Sequence, residues 1–365
     1  MNRSKIKVLI IDDSPFVRQS ISIMISETSH IEVMATVHGG LEAIKFLEKE
    51  KPDVITLDIE MPEMNGFTFL SWLMKNHPLP VLVISSRSDN QNVFKALELG
   101  ALEFIPKPGA SASLELLNLK DELIRKIEII SKVPKNTIQK QASIYTPLPQ
   151  EIPVREMPRS LPVTPDTIRR SQPKGGISLV VIGASTGGPA ALQMVISSLP
   201  ADLNIPLVIV QHMPPNFTRS FAQRLDSLSK LRVKEAEEGE LIQPGWVYIS
   251  PGGNHVTINS TPQGNRIQLS QKVAGDRYVP SIDKTMLSAA SIYGKEVLGI
   301  ILTGMGNDGA EGIKKIKEAG GITLAESKET AVVYGMPRVP AQMGVIDKIL
   351  PINQMADQLI RICRS

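Results

Sequence analysis

The chain has 365 residues, of which 42% are hydrophobic and 21% charged, long enough for two globular domains and too apolar for a wholly disordered polymer. Lys and Arg number 40 against 37 Asp and Glu, a net charge of +3, so composition imposes no electropositive nucleic-acid footprint. The single cysteine, Cys363, excludes an intrachain disulfide, a Cys-rich metal site and a CxxC redox centre, which fits a reducing, cytoplasmic setting; no apolar run reaches the roughly 18 to 20 residues of a membrane helix, so neither anchor nor secretion signal is expected.

From Lys7 to Lys107 short apolar runs alternate with amphipathic ones, the pattern of βα units around a parallel sheet. Five strands are expected: KVLII (7–11), EVMATV (32–37), VITLDI (54–59), VLVIS (81–85) and EFIPK (103–107). A helix after Ala110 closes the unit, with Leu116, Leu119, Leu123, Ile127 and Ile130 forming one apolar stripe. Asp12 and Asp13 follow strand one, Asp58 and Ser85 end strands three and four, and Lys107 ends strand five. In an open doubly wound sheet these positions share one edge, so the five side chains should converge. Any one such aspartate can be a helix cap, but three carboxylates together need a cation. An oxygen-rich, partly hydrated cluster suits Mg²⁺, which draws in a phosphate, and one aspartate is then a candidate phosphoryl acceptor with Ser85 and Lys107 on the phosphoryl oxygens.

DDSP, LDIEMPEMNG, SSR after an apolar strand and the Lys-Pro of FIPKP resemble a receiver domain of two-component signalling over about residues 5–128. The resemblance implies a flavodoxin-like five-stranded parallel sheet, phosphorylation at Asp58 by a histidine kinase, and Mg²⁺ ligation by Asp12, Asp13, Asp58 and the backbone carbonyl of Glu60. Ser85 and Lys107 would be the switch pair.

Between about Ser131 and Gly176 the periodicity stops, and Pro134, Pro147, Pro149, Pro153, Pro158, Pro162, Pro165 and Pro173 stand among polar residues. This composition predicts an extended, semi-rigid linker. The expected organisation is therefore 1–130, a linker over 131–175, and a second domain over 176–365.

In that second domain apolar strands return as ISLVVIG (177–183), PLVIVQ (206–211), WVYIS (246–250), VLGIIL (297–302) and GITLAE (321–326). They predict a second, mainly parallel α/β unit, with RIQLSQKV near residue 270 as part of an antiparallel ribbon. Gly183-Ala184-Ser185-Thr186-Gly187-Gly188 lies between a strand and a helix. Three readings are open for this loop: a phosphate or dinucleotide cradle, a nucleophile turn, or a compact connection. The GxGxxG and GxxxxGK[ST] spacings fail, whereas GxSxG fits.

A serine nucleophile needs a base, and only two histidines, His212 and His255, lie in this domain. His212 follows PLVIVQ and shares the C-terminal strand edge with Ser185. Asp308 lies in the glycine-rich turn Thr303–Gly309 after VLGIIL, near the same edge. Ser185 Oγ is a poor nucleophile until an imidazole takes its proton, and that imidazole needs a carboxylate to fix its tautomer. The chain order Ser, His, Asp differs from the Ser, Asp, His order of α/β-hydrolases, so GxSxG does not assign the chain to that fold.

IGASTGGP, VIVQHMP, SPGGNH, DKTM and LTGMGNDG, in this order behind a receiver, resemble the catalytic domain of the CheB family of chemotaxis protein-glutamate methylesterases over about residues 176–363. The resemblance implies Ser185 as nucleophile, His212 as general base then acid, Asp308 as its orienter and Met305 as a backbone oxyanion donor, with Thr186 and His255 lining the site. It implies methyl-accepting chemoreceptors as substrate, demethylation with methanol release, glutamine deamidation, and no cofactor for the ester chemistry. A transcription factor is disfavoured by the absence of a compact basic recognition helix. A receiver-controlled esterase with another substrate and a non-enzymatic scaffold remain the alternatives; no nucleic-acid partner or membrane insertion is expected.

Overall fold

The computed structural model describes residues 5–85, 90–107, 113–138 and 176–364. The chain divides into two compact units, the first built around residues 5–138 and the second around residues 176–364. The linker prolines from Pro147 to Pro173, and Arg87 and Pro108 of the receiver motifs, lie outside the described residues.

The first unit is a five-stranded sheet in the order β2-β1-β3-β4-β5, built from β1 (Ile6–Ile11), β2 (Ile31–Val37), β3 (Val54–Asp58), β4 (Val81–Ser85) and β5 (Glu103–Pro106). Every pairing is parallel. Strands covered on both faces must be apolar on both faces: Val8, Leu9, Ile10 and Ile11 are at most 1% exposed. Helices α1 (Pro15–Ser26), α2 (Gly40–Leu47), α3 (Gly66–Asn76), α4 (Asn90–Glu98) and α5 (Ser113–Ile130) supply the cover. Val17, Ile21 and Ile25 of α1 and Leu123, Ile127 and Ile130 of α5 are buried at helical spacing. Ser14 starts α1 as its N-cap, accepting the Val17 N–H ahead of Pro15. The side chain of Leu116 lies outside the described residues.

The second unit holds a seven-stranded sheet, β14-β13-β12-β6-β7-β9-β8, parallel throughout. Its central strands are β6 (Leu179–Ala184), β7 (Leu207–Gln211), β9 (Trp246–Ile249), β12 (Val297–Ile301) and β13 (Ile322–Glu326), and its edges are β8 (Arg232–Glu235) and β14 (Lys348–Leu350). Helices α6 (Gly188–Ser197), α7 (Phe217–Leu228), α8 (Ile282–Tyr293), α9 (Ala310–Glu318), α10 (Arg338–Gln342) and α11 (Ile352–Arg364) complete it. The expected ribbon is the antiparallel hairpin of β10 (Asn254–Thr261) and β11 (Gly264–Gln271). Its inward residues Val256, Ile258 and Ile267 join Ile282, Met286 and Ala289 of α8 in one core cluster. The chain leaves β6 toward β7 on one side and returns to β12 on the other, so the crevice at β6 is the topological switch point.

Two candidate functional sites

In the first unit, Asp12, Asp13 and Asp58 each place a carboxylate oxygen within 4.8 Å of the others. Lys107 Nζ donates to Asp58 Oδ2 at 2.7 Å and stands 3.4 Å from Asp12 Oδ2. That second distance is an ion pair only, and Asp12 Oδ2 is buried without a hydrogen bond. Burial, aided by the neighbouring Asp58 charge, pushes the Asp12 carboxyl up to about 6; burial likewise raises Asp58 although Lys107 opposes it. Glu60 N–H donates to Asp58 Oδ1 at 3.3 Å, and Lys107 N–H bonds the carbonyl of buried Ser85 at 2.7 Å. The five expected positions thus meet at one strand edge. Three crowded carboxylates, one with a buried orphan oxygen, form a donor set suited to a hard divalent cation. Phe104, on β5 beside this edge, is 3% exposed.

In the second unit, β6, β7 and β12 deliver Ser185, His212 and the 303–309 loop to the switch point. Ser185 N–H bonds Thr303 O at 3.0 Å and His212 N–H bonds Ala184 O at 3.1 Å. The Gln211 amide reaches both backbones, donating to Ser185 O at 3.0 Å and His212 O at 3.1 Å. Among the described residues no hydrogen bond joins Ser185 Oγ to the imidazole; such bonds are commonly long before substrate binds.

His212 Nε2 lies 2.8 Å from Asp308 Oδ2. Asp308 is 4% exposed, yet it also accepts from Ile282 N–H at 2.7 Å, Asp283 N–H at 3.0 Å and Ser281 Oγ at 3.1 Å. Ile282 and Asp283 open α8, whose first N–H groups have no partner within the helix. Asp308 therefore sits on a helix N-terminus, where the dipole favours an anion. Burial opposes ionisation, but the His212 contact and these N–H donors hold Asp308 below the usual carboxylate range. The adjacent Asp283 goes the other way, raised by burial and by the Asp308 charge, against the opposing hydrogen bond from Gly312 N–H. An ionised Asp308 can only accept, so Nε2 carries the proton and Nδ1 is the basic nitrogen of the neutral ring. Gly183 makes the geometry possible: a Cβ there would lie 2.5 Å from Ile282 Cγ2, so only glycine lets α8 dock this close to β6.

Met305 extends its side chain outward, 38% exposed, and among the described residues its N–H has no acceptor. Thr186 is buried, its carbonyl accepting from Thr303 Oγ1 at 2.9 Å. His255, expected beside substrate, is fully enclosed at 0% exposure. Its Nε2 meets Asp276 Oδ2 at 2.8 Å and its Nδ1 accepts Ser281 N–H at 3.2 Å. Both nitrogens are engaged, so neither faces the rim; the expectation that it lines the site is corrected to one of structural support. Sequence reasoning passed over Gln211, Tyr278 and Ser281. The Tyr278 ring is stacked on His212 at 4.9 Å between centroids and 6° between planes.

A receiver-type acidic cluster in one unit and a Ser/His/Asp rim at the switch point of another define a response regulator with a hydrolase effector. Residues 8–117 match the response regulator receiver domain family and residues 180–359 the CheB methylesterase family. A protein of Geobacter sulfurreducens named protein-glutamate methylesterase/protein-glutamine glutaminase 3 is 41% identical, covering 98% of this chain and 98% of its own. A Pyrococcus horikoshii protein named protein-glutamate methylesterase/protein-glutamine glutaminase is 39% identical over 98% of this chain and 93% of its own. The crystal structure of the Thermotoga maritima CheB methylesterase catalytic domain is similar at 45% identity and a TM-score of 0.50, covering 51% of this chain and 98% of that one. The chain belongs to the protein-glutamate methylesterase/protein-glutamine glutaminase family, with an N-terminal receiver and a C-terminal CheB domain. Among the described residues no helix is long and apolar enough to cross a membrane.

Proposed function

We infer that this chain is a cytoplasmic serine hydrolase, controlled by phosphorylation, that removes methyl esters from chemoreceptor glutamates and deamidates receptor glutamines. Its organisation is read as a receiver over 1–130, a linker over 131–175 and a catalytic domain over 176–365. The observation that carries the reading is the His212 Nε2 to Asp308 contact of 2.8 Å beside Ser185 at the switch point.

His212 Nδ1 takes the Ser185 hydroxyl proton as Oγ adds to the γ-carbonyl carbon, and Asp308 stabilises the imidazolium. The Met305 N–H, which has no acceptor among the described residues, donates to the oxyanion of the tetrahedral intermediate. Collapse breaks the C–O bond to the methoxy group, which leaves as methanol with the His212 proton. Water then adds to the acyl-enzyme, giving its proton to His212, and the second collapse frees Ser185 and the glutamate side chain. With a glutamine substrate the same sequence expels ammonia.

In the receiver, Asp58 takes the phosphoryl group from a histidine kinase, with Lys107 and Ser85 on the phosphoryl oxygens. Asp12, Asp13, Asp58 and the Glu60 carbonyl would hold Mg²⁺, which when bound supplies charge neutralisation at those oxygens. Phosphorylation replaces a carboxylate with a dianionic group and so changes the pairing available to Lys107.

The test is methanol release from methylated chemoreceptor membranes by the full chain, with and without Mg²⁺ and a small phosphoryl donor, beside Ser185→Ala and Asp58→Ala. Release should require Ser185 and should rise with donor only when Asp58 is present. Release by Ser185→Ala at the full rate would remove the esterase assignment; a donor response without Asp58 would remove the phosphorylation site.

A further inference from the structure

Among the described residues the His212 ring makes a single hydrogen bond, Nε2 to Asp308, and a ring held at one corner can still rotate about that bond. Tyr278 closes this freedom: its half-buried ring lies against the imidazole at 4.9 Å and within 6° of parallel, a geometry that restricts tilting of the ring.

Tyr278 is itself held from several sides. Its hydroxyl fills the space a side chain at Gly306 would need, since a Cβ there would lie 2.3 Å from Oη; Gly306 has φ +94° and directly follows Met305. The Arg277 guanidinium lies 5.3 Å from the Tyr278 ring centroid. Before it in the chain, Asp276 is clamped by His255 Nε2 at 2.8 Å and Lys284 Nζ at 2.7 Å. After it, Ser281 donates its N–H to His255 at 3.2 Å and its hydroxyl to Asp308 at 3.1 Å. One short segment, Asp276–Ser281, therefore touches the imidazole, its carboxylate and the turn beside Met305.

We propose that Tyr278 is a positioning residue for His212, its stacked ring holding the imidazole in the rotation from which Nδ1 exchanges protons with Ser185. The proposal rests on the reading of Ser185 and His212 as nucleophile and base. The ring face, not the hydroxyl, carries the effect.

The test compares Tyr278→Phe and Tyr278→Leu in the full chain, with methanol release from methylated chemoreceptor membranes as the readout. Displacing a reacting group by about 1 Å can cost 10²-fold, so Tyr278→Leu should lower kcat about 10- to 100-fold with KM within about twofold, while Tyr278→Phe restores kcat to within about threefold. In the unsubstituted protein, NMR should place the His212 ring protons upfield from the Tyr278 ring current, and this shift should vanish in Tyr278→Leu. Wild-type kcat in Tyr278→Leu, equal loss in Phe and Leu, or no ring-current shift in the unsubstituted protein would each overturn the proposal. Activity retained by both Ser185→Ala and His212→Ala would instead overturn the catalytic reading. Should Tyr278→Leu fail to fold, the Phe rescue and the unsubstituted protein's shift still decide.

Discussion

Both units place polar residues at the C-terminal ends of parallel strands, yet they treat a buried aspartate in opposite ways. Asp12 and Asp58 are crowded together, share one lysine, and have their carboxyls pushed up. Asp308 is as deeply buried but receives Ser281 Oγ, two helix N–H groups and the His212 ring, and its carboxyl is pushed down. The first arrangement is electrostatically incomplete and gains from added positive charge. The second is organised before any substrate arrives, as stabilisation of developing charge requires.

Neutralising the aspartates one at a time should break this symmetry. Asp308→Asn removes the orienting carboxylate and should lower methanol release on the order of 10³- to 10⁴-fold. It should also destabilise the second unit by about 1–3 kcal/mol, because buried donors lose a charged acceptor; calorimetry on the same sample measures the second effect. Asp58→Asn should abolish the response to phosphoryl donor, leave unstimulated release intact, and raise the receiver's unfolding temperature by roughly 4–8 °C per kcal/mol of relieved crowding. A receiver that melts lower as Asp58→Asn would mean Lys107 more than compensates for the crowded charges.

A pH series sharpens the contrast. The Asp12 carboxyl is raised from the usual 3.8 to about 6, so between those values the folded receiver binds more protons than the unfolded chain. Its contribution is fully present below pH 3.8 and is lost as pH rises through about 6. The receiver transition should therefore move upward on acidification from pH 7.5 to 5.5 in the absence of divalent cation. Asp308 has the opposite sign, its contribution persisting until pH falls below the normal carboxylate range. Calorimetric scans at several pH values, resolving two transitions, check the first sign in the receiver and, in Asp283→Asn, which removes the neighbouring carboxyl whose shift runs the other way, the second.

The smallest effect belongs to a group outside either site. Burial pushes the Cys363 thiol up to about 12, leaving almost no thiolate near neutrality. Iodoacetamide at pH 7.5 should label it only after denaturation, without change in methanol release, as mass spectrometry of the intact chain would register.

The sheet centres and the candidate rim were legible because both depend on short-range pattern. Runs such as KVLII and SLVVIG must be apolar on both faces, and the polar residue after each run marks the strand end. The edges were not legible. Strand β8, Arg232–Glu235, has only Val233 buried, and β14, Lys348–Leu350, has no buried residue; half-solvated edges lack the continuous apolar signal. Tyr278 and Ser281 were missed for another reason. They lie in a stretch without periodicity, and their roles arise from contacts with residues 66 and 27 positions away in the chain. His255 was expected to line the site, but its motif does not reveal that Asp276 and Ser281 occupy both ring nitrogens.

The Asp308 carboxylate holds the first N–H groups of α8 as well as the His212 ring. Enzymes often gain activity by keeping a strained or repulsive group that the fold would be better without, so that selection for stability erodes function. Here the two demands fall on the same oxygens. Random mutagenesis scored only for heat resistance should retain Asp308 as strictly as a screen for ester hydrolysis does, so this catalytic unit can be hardened without drifting toward an inert scaffold.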